Sequence, residues 1–357
     1  MNERADKLVR EDCRRVLDGR EKQLAALKGD TLFITGGTGF MGTWLAEMLA
    51  CLNDDFSFKT KVFLMARNTD KFQGVCPHLA GRKDMTLVKS DIRRLSELPK
   101  QTHWVIHAAV TPDNRFHSSR PVETMSTVSE GIAAVIRAAD PCSDFKKLLN
   151  ISSGLVYGTQ PWETERIPES HVGGPVMGNV ASVYAEAKRY AEIYCAAARS
   201  QQKLPVVTAR PFAFVGPYQS LNTPWAINNF IHDALNAKII RVLGDGKTVR
   251  SYLYGADMSF WLLRILVDGV SGQAYNVGSP DGISLEQLAG LIAEQFDPQP
   301  EIRIQASVPA VTQRTRFVPD VTLAAEGLKL SVKTPLKAAI KQTIEWNKLS
   351  RSTAVAV

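Results

Sequence analysis

The sequence predicts an α/β protein, a doubly wound parallel sheet with helices on both faces and a smaller C-terminal α/β unit. Three observations carry this. Short β-branched apolar runs recur at 31–35, 61–66, 86–88, 104–107, 147–151 and 205–209. Segments with helical spacing or polar turns separate them, the alternation that parallel strands and crossover helices require. The first run leads straight into glycines at 36, 39 and 42 and then into a helical stretch. A chain of 357 residues gives a prior of two domains. Its 45% hydrophobic and 22% charged composition is that of an ordinary globular protein, which excludes collagen-like, mucin-like and wholly disordered classes.

Residues 3–28 alternate charge with Leu8, Val16, Leu17, Leu24 and Leu27. They read as an exposed or peripherally docked helix ahead of the domain proper, or as a plain solvated extension, so 1–29 is set apart. With 8 basic and 6 acidic side chains in the first 28 positions and no apolar core, a signal or transit peptide is not expected. The strands and helices of 30–217 form the main domain. Beyond Pro217 the alternation breaks into turns at 219–224 and 244–246, short strands near 248–254 and 274–277, and several helices. Ser284-Leu285-Glu286-Gln287 offers a capping-box start for a helix to about Phe296. Helices at about 321–328 and 335–348 close a smaller unit, 218–348, and 349–357 reads as a frayed tail.

The glycine loop carries the first chemistry. Gly36 allows a tight turn, Gly39 lets the backbone approach a pyrophosphate and Gly42 lets helix and strand pack closely. Thr38, Phe40 and Met41 lie between them at the helix N-terminus, which supplies N–H donors and positive potential. An NAD site expects an acid at the end of the second strand, but that strand ends Ala66-Arg67-Asn68. Arg67, helped by Lys71, suits a 2′-phosphate and so leans toward NADP; alternatively it stacks on adenine with NAD bound. Asp91, followed by Ile92, is placed to receive an adenine amino group or to cap a turn.

Tyr184 and Lys188 are four residues apart, so on a helix they share one face. A free phenol, with a pKa of ~10, is a poor base at neutral pH, and an ammonium one turn away favours its phenolate. Ser153, just past the strand 147–151, adds a hydroxyl at the carboxyl edge of the sheet, where ligands bind in open α/β folds.

With these residues in place, the chain resembles the extended short-chain dehydrogenase/reductase family, in its branch of nucleotide-sugar epimerases and dehydratases. The resemblance runs over about 30–348 and adds His107-Ala108-Ala109, Tyr157-Gly158, Arg210-Pro211 with Gly216-Pro217, Arg250-Ser251-Tyr252-Leu253-Tyr254 and Asn276-Val277-Gly278. It implies a Rossmann-type domain binding NAD or NADP and a C-terminal substrate-binding domain. By resemblance, Tyr184 is the acid and base, Lys188 holds the nicotinamide ribose and Ser153 bonds the reacting sugar oxygen. Ala108 and Ala109 line the cofactor site, Pro211 borders the nicotinamide, and Arg250 grips the sugar-nucleotide diphosphate. A homodimer through the helix of Tyr184 and the helix near 122–139 is also implied.

Two departures narrow the chemistry. Dehydratases of the family carry acids after the Ser/Thr, where this chain has Gly154 and Leu155, so elimination lacks its acid and base. The usual Asn after His107-Ala108-Ala109 is missing too, with Met125-Ser126-Thr127 near its place. The expectation is therefore an NAD(P)-dependent nucleotide-sugar epimerase at C4, with a 4-keto-sugar reductase as the alternative. A 4,6-dehydratase and a non-catalytic dinucleotide- or nucleic-acid-binding protein rank lower.

The net charge of +7 calls for an anionic partner. Basic residues cluster only in pairs such as Arg93-Arg94, short of the aromatic-interleaved basic run that nucleic acid would favour, and a phosphorylated small molecule fits equally well. No apolar stretch approaches the ~18 residues of a membrane span. His103 and His107 are ~13 Å apart along a strand and cannot share a metal. The five cysteines are scattered, so no metal site is expected and reduced, cytoplasmic thiols are. Ser152 and Ser153 lack the flanking glycines of a nucleophile elbow.

Overall fold

The computed structural model describes residues 3–111, 113–140, 142–305 and 315–352. After α1 (Glu3–Leu17) come β1 (Thr31–Thr35), α2 (Phe40–Phe56), β2 (Lys61–Ala66), α3 (Thr69–Val75), α4 (Pro77–Ala80), β3 (Met85–Lys89) and β4 (Trp104–His107). Then follow α5 (Asn114–Ser119), α6 (Pro121–Ala139), β5 (Lys147–Ile151), α7 (Val183–Gln202) and β6 (Val206–Pro211). All six strands foreseen in the main domain are present. β1 is buried along its whole length, as a central strand covered on both faces must be.

The remaining elements are β7 (Ala213–Val215), α8 (Ala226–Leu235), β8 (Ile240–Val242), β9 (Val249–Arg250), β10 (Tyr252–Tyr254), α9 (Gly255–Asp268) and β11 (Ala274–Val277). They continue through β12 (Ile283–Ser284), α10 (Leu285–Ala293), β13 (Ile302–Ile304), β14 (Arg316–Phe317), α11 (Thr322–Leu328) and α12 (Leu336–Ser352). The Ser284 capping box forms with Gln287 as read from the sequence.

The central sheet has seven strands in the order β11-β6-β5-β4-β1-β2-β3, every neighbouring pair parallel. Strand order reverses between β1 and β4, and the crevice at their carboxyl ends is where an open α/β sheet binds its ligand. The seventh strand, β11, comes from beyond residue 217, and the apolar α9 lies against β5 and β6. The chain thus returns to the main sheet after starting its second unit. That unit is built on strand pairs two or three residues long, too short to show a period in the sequence.

Two expectations change. α1 is not loosely held: Ala5, Val9, Cys13, Val16 and Leu17 are completely buried against α2, α9 and α12. Its charged residues mask an apolar stripe that the neighbours cover. Even Asp12 is inside, accepting from Tyr254 Oη, Arg15 Nη2 (2.6 Å) and Gln342 Nε2 (3.2 Å). At the other end α12 runs to Ser352, so part of the expected frayed tail is helix, and 353–357 lie outside the described residues.

Candidate active site

The glycines behave as their spacing requires. Gly36 has a φ of 68°, and a Cβ there would sit 2.6 Å from the carbonyl oxygen of Ala108. A Cβ on Gly42 would lie 2.5 Å from Gly37. One on Gly39 would meet only the Gly36 oxygen, at 3.3 Å, and would otherwise fill the open cradle in front of α2. Gly39 is also the N-cap of α2 and offers no side-chain oxygen, so the N–H groups of the first turn stay open to a ligand. Thr38, Phe40 and Met41 are half-exposed around that cradle. Thr35 Oγ1 accepts from the amides of Ala108 (3.1 Å) and Ala109 (3.2 Å), fastening the exit of β4 to that of β1. The residues present fit a dinucleotide pyrophosphate.

At the adenosine end, Arg67 is half exposed, and its nearest carboxylate is Glu123, 3.6 Å away. Asp91 accepts from Arg93 Nη2 at 2.7 Å and Nε at 3.0 Å, a pairing that holds its carboxyl down at about 2. It also caps the turn holding the buried Ile92, which realises the second of its two sequence readings. Arg67 and Asp91 thus both border the carboxyl edge of β2 and β3.

On α7, Tyr184 and Lys188 project from one face beside the exit of β5. Lys188 is almost completely buried; its Nζ donates to the Ile151 carbonyl at 2.6 Å and lies 5.9 Å from the Tyr184 ring centroid. Burial lowers the ammonium to about 8, with Glu192 opposing the shift. Burial likewise pushes the Tyr184 phenol up to about 12, and a hydrogen bond with Ser153 draws it back. Ser153 therefore meets Tyr184 side chain to side chain. Ser152 turns the other way and donates to Glu192. Gly154 has no space for a side chain, because a Cβ would stand 2.8 Å from the Phe212 ring. Leu155 is 42% exposed, an apolar group where an acid would be needed for elimination.

Pro211 closes β6 and is buried, next to Phe212. Arg250 stands on β9 in the smaller unit, in register with Ile283 of β12 and Phe317 of β14. Its guanidinium donates to the Val249 carbonyl (2.8 Å), the Thr315 carbonyl (3.1 Å) and Thr315 Oγ1 (2.9 Å). Asp257, buried on α9, accepts from the Lys333 amide at 2.6 Å.

Sequence reasoning missed two features. His117 on α5 stacks on Tyr184 with centroids 4.4 Å apart and planes 5° from parallel. A helix of six residues shows no period that could flag it. Glu192 and Arg210 form a bidentate pair (3.0 and 2.6 Å) beneath α7, and Arg210 also donates to Tyr157 Oη at 2.9 Å. Glu192, one turn beyond Lys188, was the available signal. Among the described residues no group of three His, Cys, Asp or Glu side chains is placed to hold a metal. None of the described helices is long and apolar enough to cross a membrane.

The model of the NAD dependent epimerase/dehydratase family matches residues 32–278. UDP-glucuronic acid decarboxylase 1 of Xenopus tropicalis is 27% identical over 318 residues, covering 88% of this chain and 71% of its own. The structure of UDP-N-acetylglucosamine 4-epimerase from Methanobrevibacter ruminantium, in complex with UDP-N-acetylmuramic acid, superposes with a TM-score of 0.78 at 20% identity, over 90% of this chain and 99% of that one. A dTDP-glucose 4,6-dehydratase from Streptomyces venezuelae, solved with NAD bound, gives 0.76 at 19% identity, over 90% and 98%.

Proposed function

The chain belongs to the NAD-dependent epimerase/dehydratase family, and from that premise we propose that it is a nucleotide-sugar 4-epimerase. The observation that carries the reading is the Ser153–Tyr184–Lys188 group at the carboxyl edge of β5, with Gly154 and Leu155 where an elimination acid would stand. A nicotinamide dinucleotide, when bound, supplies the redox chemistry. Gly36, Thr38, Gly39, Phe40, Met41 and Gly42 hold its pyrophosphate, Arg67, Asp91 and Ile92 border its adenosine, and Ala108, Ala109 and Pro211 line its path to the reacting carbon.

Tyr184 takes the proton of the sugar C4 hydroxyl as C4 is oxidised, and returns it when the carbonyl is reduced on its other face. Ser153 bonds the same oxygen and steers it to the phenol. Lys188 has no carboxylate within salt-bridge reach among the described residues, so its charge is available to the phenolate and to ribose hydroxyls. Arg250 holds the diphosphate through a guanidinium fork suited to two phosphate oxygens.

Arg67 favours a second reading, an NADPH-dependent 4-keto-sugar reductase. A panel of UDP- and dTDP-sugars and 4-keto sugars, assayed with and without added NAD(P)H, separates the two. Epimerisation without net cofactor turnover supports the first; stoichiometric NADPH consumption supports the second. UDP-glucuronate belongs in the panel, because oxidation at C4 makes it a β-keto acid, which loses CO2 without an acid at 154–155. In every case Tyr184→Phe should lower turnover about 10²-fold or more while leaving substrate binding intact. Wild-type turnover in that variant would sink the assignment.

A further inference from the structure

We propose that His117 is a positioning residue for this chemistry: its ring fixes the plane of Tyr184 and shuts one face, leaving the phenolic oxygen accessible only along the edge that carries Ser153. The inference rests on the reading of Tyr184 as acid and base.

α5 is fastened on both sides of the crevice. Asp113 Oδ1 accepts from the Arg115 amide at 2.9 Å and so caps the helix, and Arg115 Nη2 reaches across to the Asn222 carbonyl at 3.1 Å. His117, 7% exposed, is held from within: its Nε2 is 2.6 Å from the Thr111 carbonyl oxygen. A carbonyl only accepts, so Nε2 carries a hydrogen, and in the neutral ring Nδ1 is bare. Burial keeps the imidazole below its ordinary pKa, and the charge of Lys188 adds to this against Thr111 and Asp113, so the ring is neutral at pH 7.

A neutral ring lying parallel to the phenol at 4.4 Å does two things. It stops the side chain from swinging about its Cα–Cβ bond, so the oxygen stays on Ser153, and it fixes the ring plane in which the hydroxyl hydrogen lies. It also leaves the charge balance of the phenol to Lys188, which an imidazolium on the ring face would not. Three elements face the phenol: Ser153 ahead of the 154–157 turn, Lys188 on α7 and His117 on α5. Ser153 bonds the oxygen, Lys188 Nζ stands over the ring at 5.9 Å while donating to the Ile151 carbonyl, and His117 lies flat on the ring at 4.4 Å.

Such a residue acts on turnover rather than on binding. With the substrate that the panel identifies, His117→Ala should lower kcat about tenfold or more with KM within about twofold, since small misplacements of a reacting group are costly. His117→Phe keeps a ring on that face but loses the Thr111 bond, and should recover most of the loss. A measurement that needs no substrate runs beside it. The tyrosinate absorbance belonging to Tyr184, taken as wild type minus Tyr184→Phe, should appear at lower pH in His117→Ala, where water reaches the opened face, and stay in place in His117→Phe.

The proposal is overturned if His117→Ala keeps both its kcat and its tyrosinate titration, if only KM rises, or if His117→Phe, with an unchanged melting temperature, is no better than His117→Ala. Tyr184→Phe, assayed in parallel, tells the failures apart. Full activity there removes the reading of Tyr184 itself, whereas an inactive Tyr184→Phe beside a fully active His117→Ala removes only the role of His117.

Discussion

At the scale of single residues, the site divides into positions that backbone geometry dictates and positions that chemistry selects. Gly36 and Gly42 belong to the first kind: each would drive a Cβ into backbone atoms closer than 3 Å. Arg67 belongs to the second. Its pairing with Glu123 at 3.6 Å is solvent-exposed and contributes about 0–1 kcal/mol, so the side chain is free to be recruited by a ligand. A charge-assisted contact to a 2′-phosphate is worth about 1.5–3 kcal/mol, so Arg67→Ala should weaken NADP roughly tenfold or more and NAD far less. Titration calorimetry with both cofactors reads this directly; equal losses would assign Arg67 to adenine stacking. Tyr184, Lys188 and Ser153 were legible because their spacing on a helix and at a strand end has a chemical meaning. His117 was not, because its role depends on a ring–ring contact between segments 67 positions apart in sequence.

At the scale of elements, the six central-sheet strands β1 to β6 could be read because each is four to six residues of largely apolar sequence with β-branched residues, bounded by turns. β11 was found but not its place, since nothing local says that a strand will return to an earlier sheet. α1 was misjudged for a related reason. Its apolar stripe is narrow and flanked by charge, which describes a solvated helix unless a partner surface is known. The consequence lies in Asp12, at 0% exposure beneath Tyr254, Arg15 and Gln342. Asp12→Ala would leave the Tyr254 hydroxyl buried without an acceptor, which costs about 1–3 kcal/mol. The urea unfolding midpoint should fall accordingly, with cofactor affinity unchanged. An unaltered midpoint would mean that water replaces the carboxylate.

For the whole molecule, α6 and α7 carry exposed apolar side chains among charged ones such as Glu130 and Arg189. Val122 is 81% and Met125 37% exposed on α6, and Tyr190 42% and Ile193 67% on α7. Two copies of such a helix pair suit a two-fold four-helix bundle. Sedimentation at micromolar concentration should therefore give a species of twice 39.3 kDa, and Ile193→Asp should return it to 39.3 kDa. A 39.3 kDa species for the unaltered chain would refute the dimer. The Asp12–Gln342 contact, 330 residues apart in sequence, also governs how this molecule comes into being. α1 leaves the ribosome long before α9 and α12 exist. At a synthesis rate of about 5–20 residues per second, its apolar stripe waits some ~15–60 s for its final partners. Charges flanking an apolar stripe, as they do in α1, oppose its association with other chains while it is exposed.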